Sequence, residues 1–388
     1  MSNLKTFLIM TLLSIILSLY LFEAFLNLSN DNRKYKKIKK TYLEKTGKNY
    51  DERTMSEIYS DLKKLDEDYV VSVFPATLLD LKKEILPLSG ISNKKTIHCN
   101  ENGYYSIYMS DRFGFNNPDD EWKQTEIEYL LVGDSFTHGA CVNRPNDISS
   151  VLRKLSGKSV LNLGYGGNGP LIQYATLREY LKPGIKNILW LYFEGNDLID
   201  LKSEIKNDIL MQYLKASNFK QNLKMNQAKI DEINTSRISK SFFDTNFRLI
   251  KKDAQIKYKI LKFIRLDKTK KIIIQYLGNQ KIKNEKPFKE FNKIIKKTND
   301  LAIANNSKLY FVFLPDFQRY KFKKIKNENK IIKEFLQKLD INYIDIDKEV
   351  FQNEDNKLGL FPFEFEAHYT IEGYYKVATS IHEIVSNK

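Results

Sequence analysis

Cysteine is nearly absent from this chain of 388 residues: Cys99 and Cys141 are its only two. Two thiols cannot build a structural zinc site, and no Cys-x-x-Cys pair occurs. They leave two readings open. One is a Cys99–Cys141 disulfide, if the domain lies in an oxidising compartment. The other is a pair of free buried thiols. Histidine is scarce as well. His98, His138, His368 and His382 are too few and too scattered to suggest a metal cluster. Zinc-finger spacing, an RNA-recognition aromatic motif and a basic zipper are all missing, so only the net charge of +15 speaks for nucleic acid. The lysines behind that charge are spread among many Asn and Ile residues and form no reading surface. They suit anionic lipid headgroups or an acidic glycan, and no nucleic-acid partner is expected. The Gly-rich turn at 162–169 lacks the Gly-Lys-Ser/Thr ending of a phosphate loop, and no internal repeat occurs.

Apolar residues, in contrast, are plentiful. At 42% hydrophobic and 13% aromatic, the bulk of the chain is globular. The length suffices for two ordinary domains or one decorated α/β domain. Phe7 to Leu26 is almost wholly apolar, with Glu23 its only charge. About twenty helical residues span about 30 Å, one bilayer core. A cleavable signal peptide wants a shorter apolar core and a small-x-small site, which Leu21-Phe-Glu-Ala-Phe-Leu26 lacks. Residues 1–27 are therefore expected to be an uncleaved transmembrane signal anchor, with the membrane as partner. Orientation is contested. Arg33, Lys34, Lys36, Lys37, Lys39 and Lys40 follow the helix while only Lys5 and the amino terminus precede it. The positive-inside rule keeps that basic side cytoplasmic, but large domains translocate largely regardless of charge.

Residues 28–125 divide into a charged juxtamembrane stalk and a turn-rich aromatic elaboration. The stalk has 3.6-residue periodicity around Met55 to Leu65, and the elaboration runs from about Val70 to Trp122. From residue 126 onward five apolar runs predict parallel strands: Ile127–Val132, Ser159–Leu163, Asn187–Phe193, Lys308–Leu314 and Ile341–Ile346. Continuous apolar runs fit strands buried on both faces, and alternation with helical segments implies βαβ crossovers. About 202–286, free of Pro and Gly before Gly278, predicts a helical insertion. It is either a lid or partner arm, or a surface decoration.

Four segments carry chemistry, each at the end of a predicted strand or just before a helix. Gly133-Asp134-Ser135 can present a serine hydroxyl at the carboxyl edge of a parallel sheet, where open α/β folds bind ligands. Asn162-Leu-Gly-Tyr-Gly-Gly-Asn-Gly169 is a Gly-rich turn before a helix; its backbone N–H groups suit an oxyanion better than a phosphate. Gly195-Asn196-Asp197 delivers an amide to the same edge, although Asn-Asp also caps helices. His368 precedes the last amphipathic helix and can reach back over the edge toward Ser135.

Together these segments resemble the SGNH/GDSL hydrolase family, over about Glu126 to Lys388 and interrupted by the insertion. Gly133-Asp134-Ser135 matches the nucleophile block and Gly167 the glycine block. Gly195-Asn196-Asp197 matches the Gly-x-Asn-Asp block shifted in its first position, and His368 matches the last block. The resemblance implies a flavodoxin-like three-layer α/β/α domain with a parallel sheet. It also implies ester hydrolysis or acyl transfer through an acyl-serine, without metal or nucleotide cofactor. Ser135 is then the nucleophile and His368 the base. The Ser135 N–H, the Gly167 N–H and the Asn196 side chain form the oxyanion hole, and Asp134 and Asp197 are candidate substrate contacts. The family places Asp three residues before its histidine; here that residue is Phe365, flanked by Glu364 and Glu366. Glu366 is the expected substitute, unless His368 works in a Ser–His dyad. The implied substrate is an O-acyl group, O-acetyl foremost, on an envelope or exported polysaccharide or a small ester, acted on outside the cytoplasm. Two alternatives accompany it: polysaccharide O-acyl transfer at the same site, and an inactive binding module among envelope-assembly proteins.

Overall fold

Five apolar runs pair into one parallel sheet. In a computed structural model, residues 2–28, 31–80, 84–250, 260–277, 286–323 and 328–387 are described. Numbered in chain order, the strands of this sheet are β4 (Ile127–Gly133), β5 (Val160–Asn162), β6 (Ile185–Phe193), β7 (Lys308–Leu314) and β8 (Asn342–Asp345). Their order is β5-β4-β6-β7-β8, all parallel. Counted within the sheet this is 2-1-3-4-5, the flavodoxin-like order, with its crevice where the order reverses beside β4. The predicted runs differ from these strands by at most two residues at either end.

The strands are apolar throughout because both faces are covered. Tyr129, Leu131, Leu189, Leu191, Tyr310 and Val312 pack on one face against helices Ile148–Ser156 and Ile371–Ser386. Helices Pro170–Tyr180, Asp197–Glu204 and Lys286–Ala304 pack together on the other. There the Phe291 ring lies against Tyr192 and Phe311. The result is a three-layer α/β/α domain.

Three short strands precede it. β1 (Tyr69–Val71) pairs parallel with β2 (Lys95–Ile97), and β2 pairs antiparallel with β3 (Ile107–Met109). The loop after β3 is organised by buried Asp111. Its carboxylate accepts hydrogen bonds from Trp122 Nε1, Asn117 Nδ2 and the backbone N–H groups of Phe113 and Phe115. Asn117 also donates to the Asn162 carbonyl at the end of β5, at 2.9 Å, and so ties this elaboration to the parallel sheet. Ahead of it, where the apolar periodicity predicts a helix, Met55–Leu65 forms one, and it starts at a capping box between Thr54 and Glu57.

The chain divides into two compact units, Asp51–Ser239 with Lys283–Lys388, and Met1–Tyr50 with Lys240–Ile282. The expected single insertion is thereby split. Its first part belongs to the unit with the sheet: Leu86 N–H donates to Gln221 Oε1, Ser92 N–H to Asp231 Oδ1, and Asn234 Nδ2 to the Ser89 carbonyl. Its second part belongs with the N-terminal helix, Ser2–Leu28. Positions 251–259 and 278–285 of the expected insertion lie outside the described residues. Among those described, Leu4–Asn27 is the one helix long and apolar enough to cross a membrane, with a mean hydropathy of 2.1.

Candidate active site

β4 ends at Gly133, where a Cβ would run into Thr137 Oγ1 and the Leu191 carbonyl. The chain therefore turns tightly. Asp134 caps the short helix Ser135–His138, its Oδ1 accepting the Phe136 N–H at 2.9 Å, and Gly139 ends that helix at φ +80°. Ser135 is left half-buried at the sheet edge.

His368 comes to this edge from the far end of the chain. Tyr369, fully buried beside it, donates from its hydroxyl to the Pro315 carbonyl at 2.8 Å. Tyr374 donates to the Ala140 carbonyl, and Thr370 caps the last helix. So held, His368 Nε2 lies 2.8 Å from Ser135 Oγ.

The third member was not expected. Glu101, on the loop between β2 and β3, sets Oε2 2.9 Å from His368 Nδ1 and accepts the His368 backbone N–H at 2.8 Å. A carboxylate only accepts, so Nδ1 carries the proton and Nε2 is free to accept from the Ser135 hydroxyl. Glu366 does not take this place. It accepts from Gln318 Nε2 at 2.8 Å, away from the imidazole. Phe363 and Glu364 both have positive φ, and this turn redirects the chain ahead of Glu366.

Electrostatics follow the geometry. Burial pulls the His368 imidazolium down, but the Glu101 charge and hydrogen bond hold it above the ordinary histidine value. Burial pushes Glu101 up, but the charge of His368 and the hydrogen bonds it donates outweigh it, leaving the carboxyl below its ordinary value.

The two cysteines form a disulfide, which resolves the open choice. Cys99 stands two residues before Glu101, and Cys141 six residues after Ser135. The bridge therefore ties the loop carrying the acid to the turn carrying the serine. Asn102 Nδ2 adds a bond to the Cys141 carbonyl at 2.9 Å, and the Ile107 N–H one to Asn143 Oδ1 at 2.9 Å. The sequence did hold this signal: pairing Cys99 with Cys141 brings the intervening loop, and Glu101 with it, to Ser135.

The glycine and asparagine segments leave β5 and β6, the strands flanking β4. Gly167 has φ +74°, and a Cβ there would meet Ala76 and Phe74 only at ordinary contact distances of 3.6 and 3.8 Å, so backbone conformation is what requires glycine here. The Gly169 and Leu171 N–H groups at the start of helix Pro170–Tyr180 donate to buried Glu204, at 2.6 and 2.9 Å. This fixes the end of the turn. Asn196 occupies a helix N-cap position but does not cap. Its Nδ2 donates to Asp200 Oδ2 at 2.8 Å, and an amide nitrogen has a second hydrogen to give. Burial foremost, and then the charge of Asp134, push the Asp200 carboxyl up to about 7.

Asp134 and Asp197, expected as substrate contacts, are both fully buried. Asp134 is committed to the turn. Asp197 accepts the Phe193 N–H at 3.0 Å and Gln173 Nε2 at 3.2 Å. Both build the frame of the site and leave no carboxylate for a substrate. Atoms of Glu101, Cys141 and His368 also lie within 4.8 Å of one another, a spacing that could hold a metal ion. The residues do not fit one: the sulfur is committed to the disulfide, and the nitrogen and oxygen to each other.

No family model matches the sequence, and no curated protein matches it. Solved structures do. A lipolytic protein of the G-D-S-L family from Desulfitobacterium hafniense is 16% identical, with a TM-score of 0.38 over 67% of this chain and 99% of that one. A member of the lipolytic G-D-S-L family from Veillonella parvula is 13% identical, with a TM-score of 0.37 over 68% and 100%. The acetyl xylan esterase AlAXEase is 14% identical, with a TM-score of 0.34 over 67% and 100%.

Proposed function

We propose that this chain is a membrane-anchored serine esterase with a Ser135–His368–Glu101 triad. The observation that carries the reading is the continuous line from Glu101 Oε2 through the imidazole to Ser135 Oγ, with contacts of 2.9 and 2.8 Å. Ser135 Oγ attacks the ester carbonyl while His368 Nε2 takes its proton; the same nitrogen returns that proton to the leaving alcohol. Glu101 fixes the tautomer and stabilises the imidazolium. The backbone N–H groups of Ser135 and Gly167 and the second hydrogen of Asn196 Nδ2 receive the developing oxyanion. Water then attacks the acyl-serine, again with His368 as base.

The substrate class proposed is an O-acetyl or other O-acyl group on an envelope or exported polysaccharide. The anchor supports it, and so does the disulfide, which suits an oxidising, extracytoplasmic compartment. The same acyl-serine passes its acyl group to a sugar hydroxyl where water is excluded.

The test is fluorophosphonate labelling of the detergent-solubilised full chain beside Ser135→Ala, followed by incubation with an O-acetylated polysaccharide. Labelling of the wild type alone and release of free acetate are expected. Equal labelling of both proteins overturns the nucleophile. Acetate moved to a second glycan instead of to water assigns transfer over hydrolysis.

A further inference from the structure

Glu23 is the only charged side chain in the apolar run of the anchor, yet it is almost fully buried. A carboxylate at the edge of a bilayer is costly unless its partners come with it. Here they come from the insertion. Glu23 Oε2 accepts the Thr269 N–H at 2.8 Å and the Thr269 hydroxyl at 2.7 Å, and Oε1 accepts the Lys268 N–H at 3.2 Å. These donors form the first turn of helix Asp267–Leu277, so an anchor side chain caps a helix that lies some 240 residues later.

Two further bonds reach the same stretch. The Tyr20 hydroxyl donates to the Ile264 carbonyl at 3.0 Å, and Lys268 Nζ donates to the Leu26 carbonyl at 3.0 Å. The Tyr20 and Phe263 rings are 5.8 Å apart. The contacts run from Tyr20 to Leu26, about 9 Å along the anchor axis at the end of its apolar run.

The outer side of this stretch is apolar and unshielded. Ile260, Leu261, Ile264, Ile272 and Ile273 are between 41% and 54% exposed. The anchor's own apolar residues are exposed as well, Leu17 at 61% and Leu21 at 63%. Between them in the sequence stand Lys262, Arg265, Lys268, Lys270 and Lys271 against a single acid, Asp267. Exposed aliphatics interleaved with basic residues, fixed to the last turns of a spanning helix, match the interfacial zone of a bilayer, where chains are apolar below and phosphates anionic above.

We propose that residues 260–277 are a membrane-interface element, seated among lipid headgroups beside the anchor and held there by Glu23. The occupant of the apolar face is lipid. The inference rests on Leu4–Asn27 being a membrane anchor and is independent of the esterase reading.

The experiment uses full-length protein in vesicles of phosphatidylcholine and phosphatidylglycerol containing bromine-labelled acyl chains. A tryptophan is placed singly by Leu17→Trp, Ile264→Trp, Ile272→Trp or Ile303→Trp; the last, 65% exposed in the unit with the sheet, is the water-side control. Bromolipid is expected to quench the added emission at 17, 264 and 272 and to leave 303 unchanged. Quenching at 17 without 264 and 272 overturns the interface element alone. Absence of quenching at 17 overturns the anchor on which it rests. Chemical cross-linking of two copies through 264, with no quenching there, assigns the face to self-association instead. Adding Glu23→Ala to Ile264→Trp should at least halve the quenching at 264, and undiminished quenching removes Glu23 from the proposal.

Discussion

Glu101→Gln removes one charge from the triad and nearly nothing else. The amide keeps an acceptor for His368 Nδ1 but cannot stabilise an imidazolium. Two unit charges 2.9 Å apart attract by about 6 kcal/mol at an effective dielectric constant of about 20. The side chains of His368 and Glu101 are 22% and 28% exposed, so solvent screening makes that figure a ceiling. Removal of the acid from other serine triads lowers turnover about 10⁴-fold, equivalent to about 5.5 kcal/mol, which fits beneath it. We expect kcat/KM toward an aryl acetate to fall about 10³- to 10⁴-fold in Glu101→Gln. The pH profile must move as well. His368 acts as a base only when neutral, and Glu101 raises its pKa against the pull of burial. Without Glu101 that pKa falls, so the acid limb of the kcat/KM profile shifts to lower pH. Glu366→Gln should leave both rate and limb in place, because Glu366 is bonded to Gln318. Two results refute the reasoning: a Glu101→Gln enzyme within tenfold of wild type with an unmoved acid limb, or a comparable loss in Glu366→Gln. A thermal melt of each variant separates loss of charge from loss of fold.

Opening the disulfide should act through Glu101. With its ends 42 positions apart, the bridge constrains the unfolded chain by about 4 kcal/mol on the loop-entropy model, and Cys99→Ser should lower the denaturation free energy by up to that amount. Under native conditions the same change should cost about 10- to 100-fold in kcat, since an acid displaced by about 1 Å serves poorly. In a Glu101→Gln background it should cost little more; fully additive losses would detach the bridge from the acid. Asn196→Ala should lower kcat about 10²- to 10³-fold with little change in KM. An unchanged kcat would leave Asn196 only its bond to Asp200.

The parallel sheet was legible because burial on both faces writes much of each strand as an apolar run, as in Leu130–Val132 and Leu309–Leu314. Ser135 and His368 were legible because each stands in a short local pattern, one at a strand end and one before a helix. Glu101 had no such pattern. It precedes the serine by 34 residues, lies on a loop between two strands of a different sheet, and reaches His368 only through the fold of that β2–β3 loop and the Cys99–Cys141 bridge. Proximity in sequence pointed instead to Glu366, two residues from the histidine, and the positive-φ turn at Phe363 and Glu364 undoes that proximity. Asp134 and Asp197 misled in the opposite way. They stand in motif positions, yet their carboxylates answer backbone N–H groups within the turns they shape. The division at Ser239 was invisible because Lys, Asn and Ile run evenly across it.

Topology is where local charge and tertiary structure disagree. Six basic residues between Arg33 and Lys40 favour holding the chain after the proposed anchor in the cytoplasm. That rule weighs short loops, and more than 300 residues follow this apolar helix. A disulfide points the other way: structural bridges form in oxidising compartments and are rare in the cytosol, where thiols are kept reduced. Here the bridge joins the loop of the acid to the turn of the nucleophile. Its loss would cost the triad its carboxylate as well as cost the fold a cross-link. The chemistry proposed for Ser135 therefore needs the compartment that keeps Cys99 and Cys141 oxidised. On this ground we propose that the triad lies outside the cytoplasm.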